Sequence, residues 1–185
     1  MIILLDQDGP LADFENHFIT VWKERYPQRP CIPYEQRRGF YLTGQYPAAY
    51  REDILALMHE PGFYRHMPVT PGAAEAVRRL EEHGHELFVC TSPLLRYDHC
   101  VLEKYQWVEE HFGMDLVERM IVTQDKTLVA GDVLIDDKPE VTGRRAPVWE
   151  HLIFDCPYNR TTATRRRLDW TTFSEVLDQG GPSGR

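Results

Sequence analysis

The chain has 185 residues, of which 42% are hydrophobic and 27% are charged, and its formal net charge is −8. This length is enough for one buried core with a small inserted lobe. The negative charge disfavours nucleic acid polymers and anionic membranes as partners, so a small anionic substrate would need a local cationic centre, either basic side chains or a metal ion.

Five short apolar runs predict β-strands, at residues 2–5, 87–90, 120–122, 133–135 and 152–154. None alternates cleanly with polar residues, which is typical of strands that are covered on both faces. Thr70 is predicted to cap a helix that has Pro71 in its first turn and Gly84 after its end. A second helix is predicted over residues 101–112, with apolar residues at positions 101, 105, 108 and 112 and Gly113 after them. Strands alternating with helices predict an α/β fold with a Rossmann-like parallel sheet.

The region after the first strand interrupts this alternation. Apolar residues at helical spacing run from Phe14 to Trp22, Pro27 ends that helix, and a second helical stretch lies near residues 47–59. We therefore expect residues 16–68 to form a small helical cap, inserted after the first strand. Residues 1–15 and 69–178 would form the core, and the glycine-rich residues 179–185 are predicted to be a disordered tail.

Polar side chains follow four of the predicted strands. They are Asp6 and Asp8 after the first, Thr91 and Ser92 after the second, Lys126 after the third, and Asp136 and Asp137 after the fourth. Ligands of parallel sheets gather at the carboxyl ends of the strands. Several carboxylates at one point repel each other unless a cation joins them, and hard oxygen ligands suit Mg²⁺. A lysine and two hydroxyls beside that metal match the needs of a phosphate group.

Each of these signals also has an ordinary explanation when it stands alone. An aspartate after a strand commonly forms a turn or caps a helix, and Thr91 and Ser92 before Pro93 could do the same. A lone lysine is usually a solvated surface charge. The combination, with every member at the end of an apolar run, favours a functional site over coincidence.

At this point the chain resembles a known superfamily. The segments "DQDGPLADF", "CTSP", "DKT" and "LIDDKP" resemble the four motifs of the haloacid dehalogenase-like (HAD) phosphatases. The segments "EQRRGFY", "EKYQWVEEHFG" and "WEHLIF" are similar to those of one family within it, the 5'(3')-deoxyribonucleotidases. The resemblance runs from Ile3 to about Leu177. It implies a HAD-like core with a cap, and Mg²⁺-dependent hydrolysis of deoxyribonucleoside monophosphates through an aspartyl-phosphate.

The resemblance also implies catalytic and metal-binding roles. Asp6 would be the nucleophile, and Asp8 would protonate the leaving sugar oxygen and later activate water. Mg²⁺ would be held by Asp6, by the backbone carbonyl of Asp8 and by Asp137, with Asp136 beside it or acting through water. The sequence does not decide which member of the Asp136–Asp137 pair is the direct ligand.

Substrate contacts follow from the same resemblance. Thr91, Ser92 and Lys126 would hold the phosphoryl oxygens. Phe14, Phe40 and Tyr41 would line a base pocket, since aromatic faces stack on bases for about 1–3 kcal/mol each, and dUMP and dTMP are the implied substrates. Other interpretations stay open. Phe14 could simply begin its amphipathic helix, and Phe40 and Tyr41 could fill a small core of the cap. The neighbouring Arg37 and Arg38 could either position the cap or touch the substrate.

Two other functions fit part of the pattern. One keeps the mechanism and changes the substrate to a sugar phosphate or another small phosphoester. The other is a phosphoacceptor signalling module, which also gathers acidic residues, a hydroxyl and a lysine at the strand ends of a parallel sheet. Such modules phosphorylate an aspartate on a central strand, not the first, and carry no inserted lobe.

Cysteine usage and hydropathy bear on the compartment. The four cysteines are scattered without a CxxC pair, which is typical of reduced thiols. We see neither a leader-like segment nor an apolar run long enough to span a membrane. A cytoplasmic protein without membrane partners is therefore expected, and a homodimer is left open.

Overall fold

The computed structural model describes residues 1–162 and 166–178. Its strands are β1 (Ile2–Leu5), β2 (Glu86–Thr91), β3 (Met120–Val122), β4 (Val133–Asp136), β5 (Glu150–Phe154) and β6 (Arg167–Leu168). They form one parallel sheet in the order β3-β2-β1-β4-β5-β6. The predicted α/β class and all five predicted strands are confirmed. The sequence missed β6, because its two residues are too few to form an apolar run.

Within residues 1–162 and 166–178, six helices surround or follow the strands. They are α1 (Phe14–Arg25), α2 (Arg51–Met58), α3 (Ala73–Glu82), α4 (Cys100–Phe112), α5 (Met114–Val117) and α6 (Phe173–Asp178). None of those in the described part of the chain is long and apolar enough to cross a membrane. The four cysteines are free thiols.

The start of α3 differs from the prediction. Gly72, with φ at +87°, is the N-cap residue, so the expected cap at Thr70 is wrong. The Thr70 hydroxyl instead donates a hydrogen bond to the carbonyl of Gly9, at 2.7 Å. Short polar side chains compete for any nearby backbone group, and here the group lies 61 residues away in the chain. Thr70 therefore ties the loop after β1 to the segment that leads into α3.

The buried face of α4 also differs from the prediction. It consists of Cys100, Glu103, Lys104, Trp107 and Val108. Of the four expected apolar positions only 108 is fully buried, since residues 101, 105 and 112 are partly exposed. The prediction from apolar spacing was wrong because two charged residues, Glu103 and Lys104, occupy the buried face. Their partners lie on other parts of the chain.

The described chain between β1 and α3 contains no named strand. Its regular elements are α1, α2 and three single 3-10 turns at Tyr34–Gln36, Leu42–Gly44 and Ala48–Tyr50. Phe18 and Trp22 of α1 belong to the same buried apolar cluster as Ile3 and Leu5 of β1. The helical character of this region agrees with the predicted cap, while its boundaries at residues 16 and 68 stay a prediction. The predicted tail at 179–185 lies outside the described residues.

Candidate active site

The polar strand ends meet at one edge of the sheet. Leu5, the last residue of β1, is in register with Val89 of β2 and Ile135 of β4. The next residues therefore emerge side by side. Carboxylate oxygens of Asp6, Asp136 and Asp137 all lie within 4.8 Å of one another. This cluster of hard oxygen donors is a candidate site for a divalent cation.

Lys126 supplies positive charge to this cluster. Its Nζ lies 2.9 Å from Oδ1 of Asp6 and 2.6 Å from Oδ2 of Asp136. Burial alone would lower the pKa of Lys126, but the two carboxylates raise it above its ordinary value. Burial raises the pKa of Asp6 to about 6, although Lys126 opposes that shift. Lys126 is therefore a fixed cation beside a nucleophile candidate that is ionised at neutral pH.

The adjacent aspartates have different hydrogen-bond partners. Asp136 accepts from Lys126 through Oδ2 and from the backbone N–H of Lys138 through Oδ1, the latter at 2.8 Å. Asp137 accepts from the Tyr158 hydroxyl through Oδ2, and within residues 1–162 and 166–178 its buried Oδ1 has no hydrogen-bond partner. Burial raises the pKa of Asp137 well above its ordinary value. A cation at Oδ1 would satisfy this acceptor, so the donor set fits a metal ion.

The turn after Asp8 allows this close approach. Gly9 has φ at +97°, a conformation that side-chain-bearing residues rarely adopt. A Cβ atom at Gly9 would lie 2.8 Å from Cγ of Asp137. Glycine at this position therefore lets the loop after β1 approach the Asp137 carboxylate closely.

Asp8 has a partner that the sequence analysis missed. Nζ of Lys104 lies 2.6 Å from Oδ1 of Asp8 and 3.0 Å from Oγ1 of Thr91, and the lysine side chain is fully buried. The available signal was a charged residue on an apolar helix face, four residues after Cys100 and three before Trp107. Asp8, Thr91 and Lys104 thus form one hydrogen-bonded unit, with the Asp8 side chain 27% exposed.

A cavity of about 400 Å³ joins these residues to the cap. The predicted site residues that line it are Asp6, Asp8, Phe14, Phe40, Tyr41, Ser92, Lys126, Asp136 and Asp137. Thr91 is instead buried in its contact with Lys104. Met58, Tyr64 and Lys138 also line the cavity and were not predicted. Charged groups combined with apolar aromatic faces suit a ligand that has an anionic part and a flat part.

The cap aromatics pack at the cavity wall. The rings of Phe40 and Tyr41 lie edge to face at 5.1 Å, and Phe14 lies 6.4 Å from the ring of Tyr64. Nζ of Lys138 is 5.8 Å from the centroid of Phe40. Tyr41 is 66% exposed, so it forms the rim of the cavity and not a core of the cap.

The parallel sheet with carboxylates at its strand ends has a HAD-like fold. The fold is shared with a HAD family hydrolase from Deinococcus radiodurans R1, solved with bound phosphate and sodium. It is 16% identical to this chain, with a TM-score of 0.60 over 97% of this chain and 96% of that one.

Sequence comparison gives the family. Residues 1–178 match the family model described as "5' nucleotidase, deoxy (Pyrimidine), cytosolic type C protein". The human cytosolic-type 5'(3')-deoxyribonucleotidase is 47% identical over 186 residues, which cover 95% of this chain and 92% of that protein. The human mitochondrial 5'(3')-deoxyribonucleotidase is 38% identical over 193 residues, with 97% and 83% covered. The chain belongs to the 5'(3')-deoxyribonucleotidase family of phosphomonoester hydrolases, which confirms the resemblance predicted from its motifs.

Proposed function

We propose that the protein hydrolyses deoxyribonucleoside monophosphates, dUMP and dTMP above all, in a Mg²⁺-dependent reaction through an aspartyl-phosphate. The observation that carries this proposal is the cavity that brings the acidic cluster and the aromatic cap residues together. A phosphate and a base need these two kinds of surface within one site. The similarity to a human relative of the cytosolic type supports a cytoplasmic location.

In the first step the Asp6 carboxylate attacks phosphorus, and the bond between phosphorus and the sugar oxygen breaks. Asp8 gives its proton to that leaving oxygen. In the second step Asp8 takes a proton from water, which attacks the aspartyl-phosphate and releases phosphate and free Asp6. Lys104 holds Oδ1 of Asp8, which leaves the second carboxyl oxygen to exchange the proton.

The phosphoryl group needs cationic and hydrogen-bonding contacts. Lys126 and Ser92 line the cavity and would contact the phosphoryl oxygens. Thr91 is buried and does not line the cavity, and its hydroxyl accepts a hydrogen bond from Lys104, the residue that contacts Asp8. Lys126 and Ser92 stabilise the charge that develops in the transition state.

Asp6, Asp137 and the backbone carbonyl of Asp8 would hold Mg²⁺. Its positive charge would offset the repulsion between the carboxylates and the phosphate and so let Asp6 approach phosphorus. Asp136 has both oxygens engaged by Lys126 and Lys138, so we assign it an outer role that fixes the lysine and the loop.

The metal assignment predicts a different Mg²⁺ requirement for Asp137→Asn. This variant loses the charged acceptor, so we expect its half-activating Mg²⁺ concentration to rise at least about tenfold. Magnesium should raise the unfolding temperature of the wild-type protein and raise that of the variant much less. Asp115→Asn, at an exposed position on α5, is the matched control. An unchanged Mg²⁺ titration in Asp137→Asn would contradict the assignment.

A panel of monophosphates with Mg²⁺ tests the substrate. We expect kcat/KM for dUMP and dTMP to exceed that for UMP and AMP at least tenfold, or about 1.4 kcal/mol of transition-state binding. The reason is that a 2'-hydroxyl against an apolar wall loses its water partners without replacement. Equal rates on ribo- and deoxyribonucleotides, or a preference for sugar phosphates, would favour the other-phosphoester alternative.

Phe40→Ala separates the two halves of the cavity. Its KM for dUMP should rise and its preference for deoxyribose should narrow, because a stacking face is lost. Hydrolysis of an aryl phosphate should hardly change, since that reaction uses the strand-end residues. A folded Phe40→Ala variant that loses aryl phosphatase activity would show that Phe40 serves the phosphate site.

A further inference from the structure

Arg37 is fully buried in the cap, on the segment that carries Phe40 and Tyr41. Its Nη2 lies 2.9 Å from Oε1 of Glu15, and the two side chains are 1% and 7% exposed. The same nitrogen donates a hydrogen bond to the backbone carbonyl of Phe40, at 3.1 Å. One guanidinium therefore contacts both α1 and the loop that holds the cavity aromatics.

This loop has little regular structure of its own. Residues 37–41 lie between the 3-10 turns Tyr34–Gln36 and Leu42–Gly44. The N–H of Arg37 donates to the carbonyl of Tyr34 at 3.0 Å, and the N–H of Arg38 donates to the Gln45 side chain at 2.9 Å. The position of Phe40 then depends on side-chain contacts, and the Arg37 guanidinium holds its carbonyl.

Glu15 holds this guanidinium against α1. It follows Phe14 directly in α1, and both residues line the cavity. The bridge from Glu15 through Arg37 to the Phe40 carbonyl thus connects two aromatic residues that the proposed function places around the base. Arg37 does not itself line the cavity.

Stability alone does not account for this ion pair. Burying two charges costs free energy that their attraction often fails to recover, and apolar pairs of similar volume are commonly as stable. Within the described residues, three buried atoms of the pair have no hydrogen-bond partner: Nε and Nη1 of Arg37 and Oε2 of Glu15. Burial raises the pKa of Glu15 to about 7 even with Arg37 beside it. Such a pair is better suited to fixing a geometry than to stabilising the fold.

We propose that Arg37 is a positioning residue for nucleoside selection, which sets the spacing of Phe14 and Phe40 without touching the substrate. The inference rests on the proposed function of the cavity as a nucleotide site. It also separates the two arginines for which both roles were left open: Arg37 links the loop to α1, whereas the exposed Arg38 contacts carbonyls of its own loop and does not line the cavity.

Kinetics of Arg37→Met, Arg37→Lys and Arg38→Met on dUMP and p-nitrophenyl phosphate test the proposal. In Arg37→Met we expect KM for dUMP to rise at least about tenfold, with kcat within about threefold of wild type. Its kcat/KM for p-nitrophenyl phosphate should stay within about twofold. Arg37→Lys keeps a donor and should recover part of the loss in KM. Arg38→Met is the matched control and should behave like wild type. The Arg38 guanidinium is on the same loop but contacts the carbonyls of Glu35 and Arg37, whereas the contacts to Glu15 and Phe40 belong to Arg37.

A double variant distinguishes an effect on substrate binding from a loss of folding. Arg37→Met leaves Glu15 buried without its cation, whereas Glu15→Leu/Arg37→Met removes both charges and should unfold near the wild-type temperature. This double variant should show the same rise in KM for dUMP. Proportional losses on both substrates, or an unchanged KM for dUMP in the folded double variant, would overturn the proposal. A changed Mg²⁺ requirement in Arg37→Met would also overturn the proposal, because it would mean that Arg37 acts on the metal site. Such a route exists, since Cζ of Arg37 lies 5.6 Å from the ring centroid of Tyr158, whose hydroxyl donates to Asp137.

Failure of the underlying function has its own result. A wild-type protein that turns over p-nitrophenyl phosphate but no deoxyribonucleotide would overturn both the nucleotide assignment and the role of Arg37. A wild-type protein that prefers dUMP, with Arg37→Met unchanged on both substrates, would overturn the role of Arg37 alone.

Discussion

The Asp6→Asn variant is expected to lose turnover of dUMP and of aryl phosphate alike, by about 10³-fold or more. An amide cannot form the acyl phosphate, so the loss does not depend on the leaving group. The measurement is kcat with each substrate at saturating Mg²⁺. A folded variant that keeps more than a few per cent of wild-type activity would show that Asp6 is not the nucleophile.

The stability of Asp6→Asn provides the control. Burial raises the pKa of Asp6 to about 6, so in the metal-free protein at pH 7.5 its ionised form is less favourable in the folded state than in the unfolded state. Asparagine removes that charge, and we expect the variant to unfold at the same or a higher temperature than wild type in the presence of a chelator. The gain should shrink as the pH falls from 7.5 towards 4, because the wild-type carboxyl then takes up a proton itself. A large drop in unfolding temperature at pH 7.5 would point to a structural role.

Asp8→Asn is expected to affect the two kinds of substrate differently. A sugar alkoxide leaves poorly, so hydrolysis of dUMP should fall by about 10²-fold or more without the proton donor. A phenolate leaves readily, so the first step with an aryl phosphate should be affected much less. Breakdown of the aspartyl-phosphate still needs a base. Rapid mixing with an aryl phosphate should therefore show a burst of phenolate, about one equivalent per active site, followed by slow turnover.

The contact between Asp8 and Lys104 means that the stability of Asp8→Asn must be measured as a control. Asparagine leaves the buried ammonium of Lys104 without its charged partner, which lies 2.6 Å away in the wild-type protein. Some loss of stability is expected, and since the Asp8 side chain is 27% exposed, solvent moderates it. Unfolding curves should be recorded beside the kinetics. Equal losses on both substrates without a burst, in a variant that is still folded, would contradict the acid–base role.

Much of the core and part of the site could be predicted from local sequence. Each of the five predicted strands contains a short apolar run, and the residues that follow such runs in a parallel sheet emerge at the same edge. Asp6 and Asp136 therefore meet because Leu5 and Ile135 are neighbours in register. The catalytic roles of these residues followed from the resemblance of the motifs to a known family. The residue chemistry alone would have left two functions open, a phosphatase and a phosphoacceptor module.

The two errors, at Thr70 and on α4, arise because a local pattern does not show a hydrogen-bond partner that is distant in the chain. The local sequence predicts that Thr70 caps the nearest helix, yet its hydroxyl donates to the carbonyl of Gly9. Apolar spacing predicts another buried face for α4, yet Glu103 is buried because it accepts hydrogen bonds from the N–H groups of Gly62, Tyr64 and Arg65. Hydrophobic periodicity reports how a segment faces the core, and it treats every charged residue as solvated.

The sequence by itself determined the α/β class, the strand-end cluster of carboxylates with Lys126, and the family. Only the tertiary structure decided which charged residues lie in the interior and what they hold. Lys104 reaches Asp8 from 96 residues away, Arg37 reaches Glu15 from 22, and Tyr158 reaches Asp137 from 21. A buried charge is tolerated only with a partner of opposite charge or with hydrogen-bond partners. That partner is defined by the packing of separate elements, and no local pattern in the chain records it.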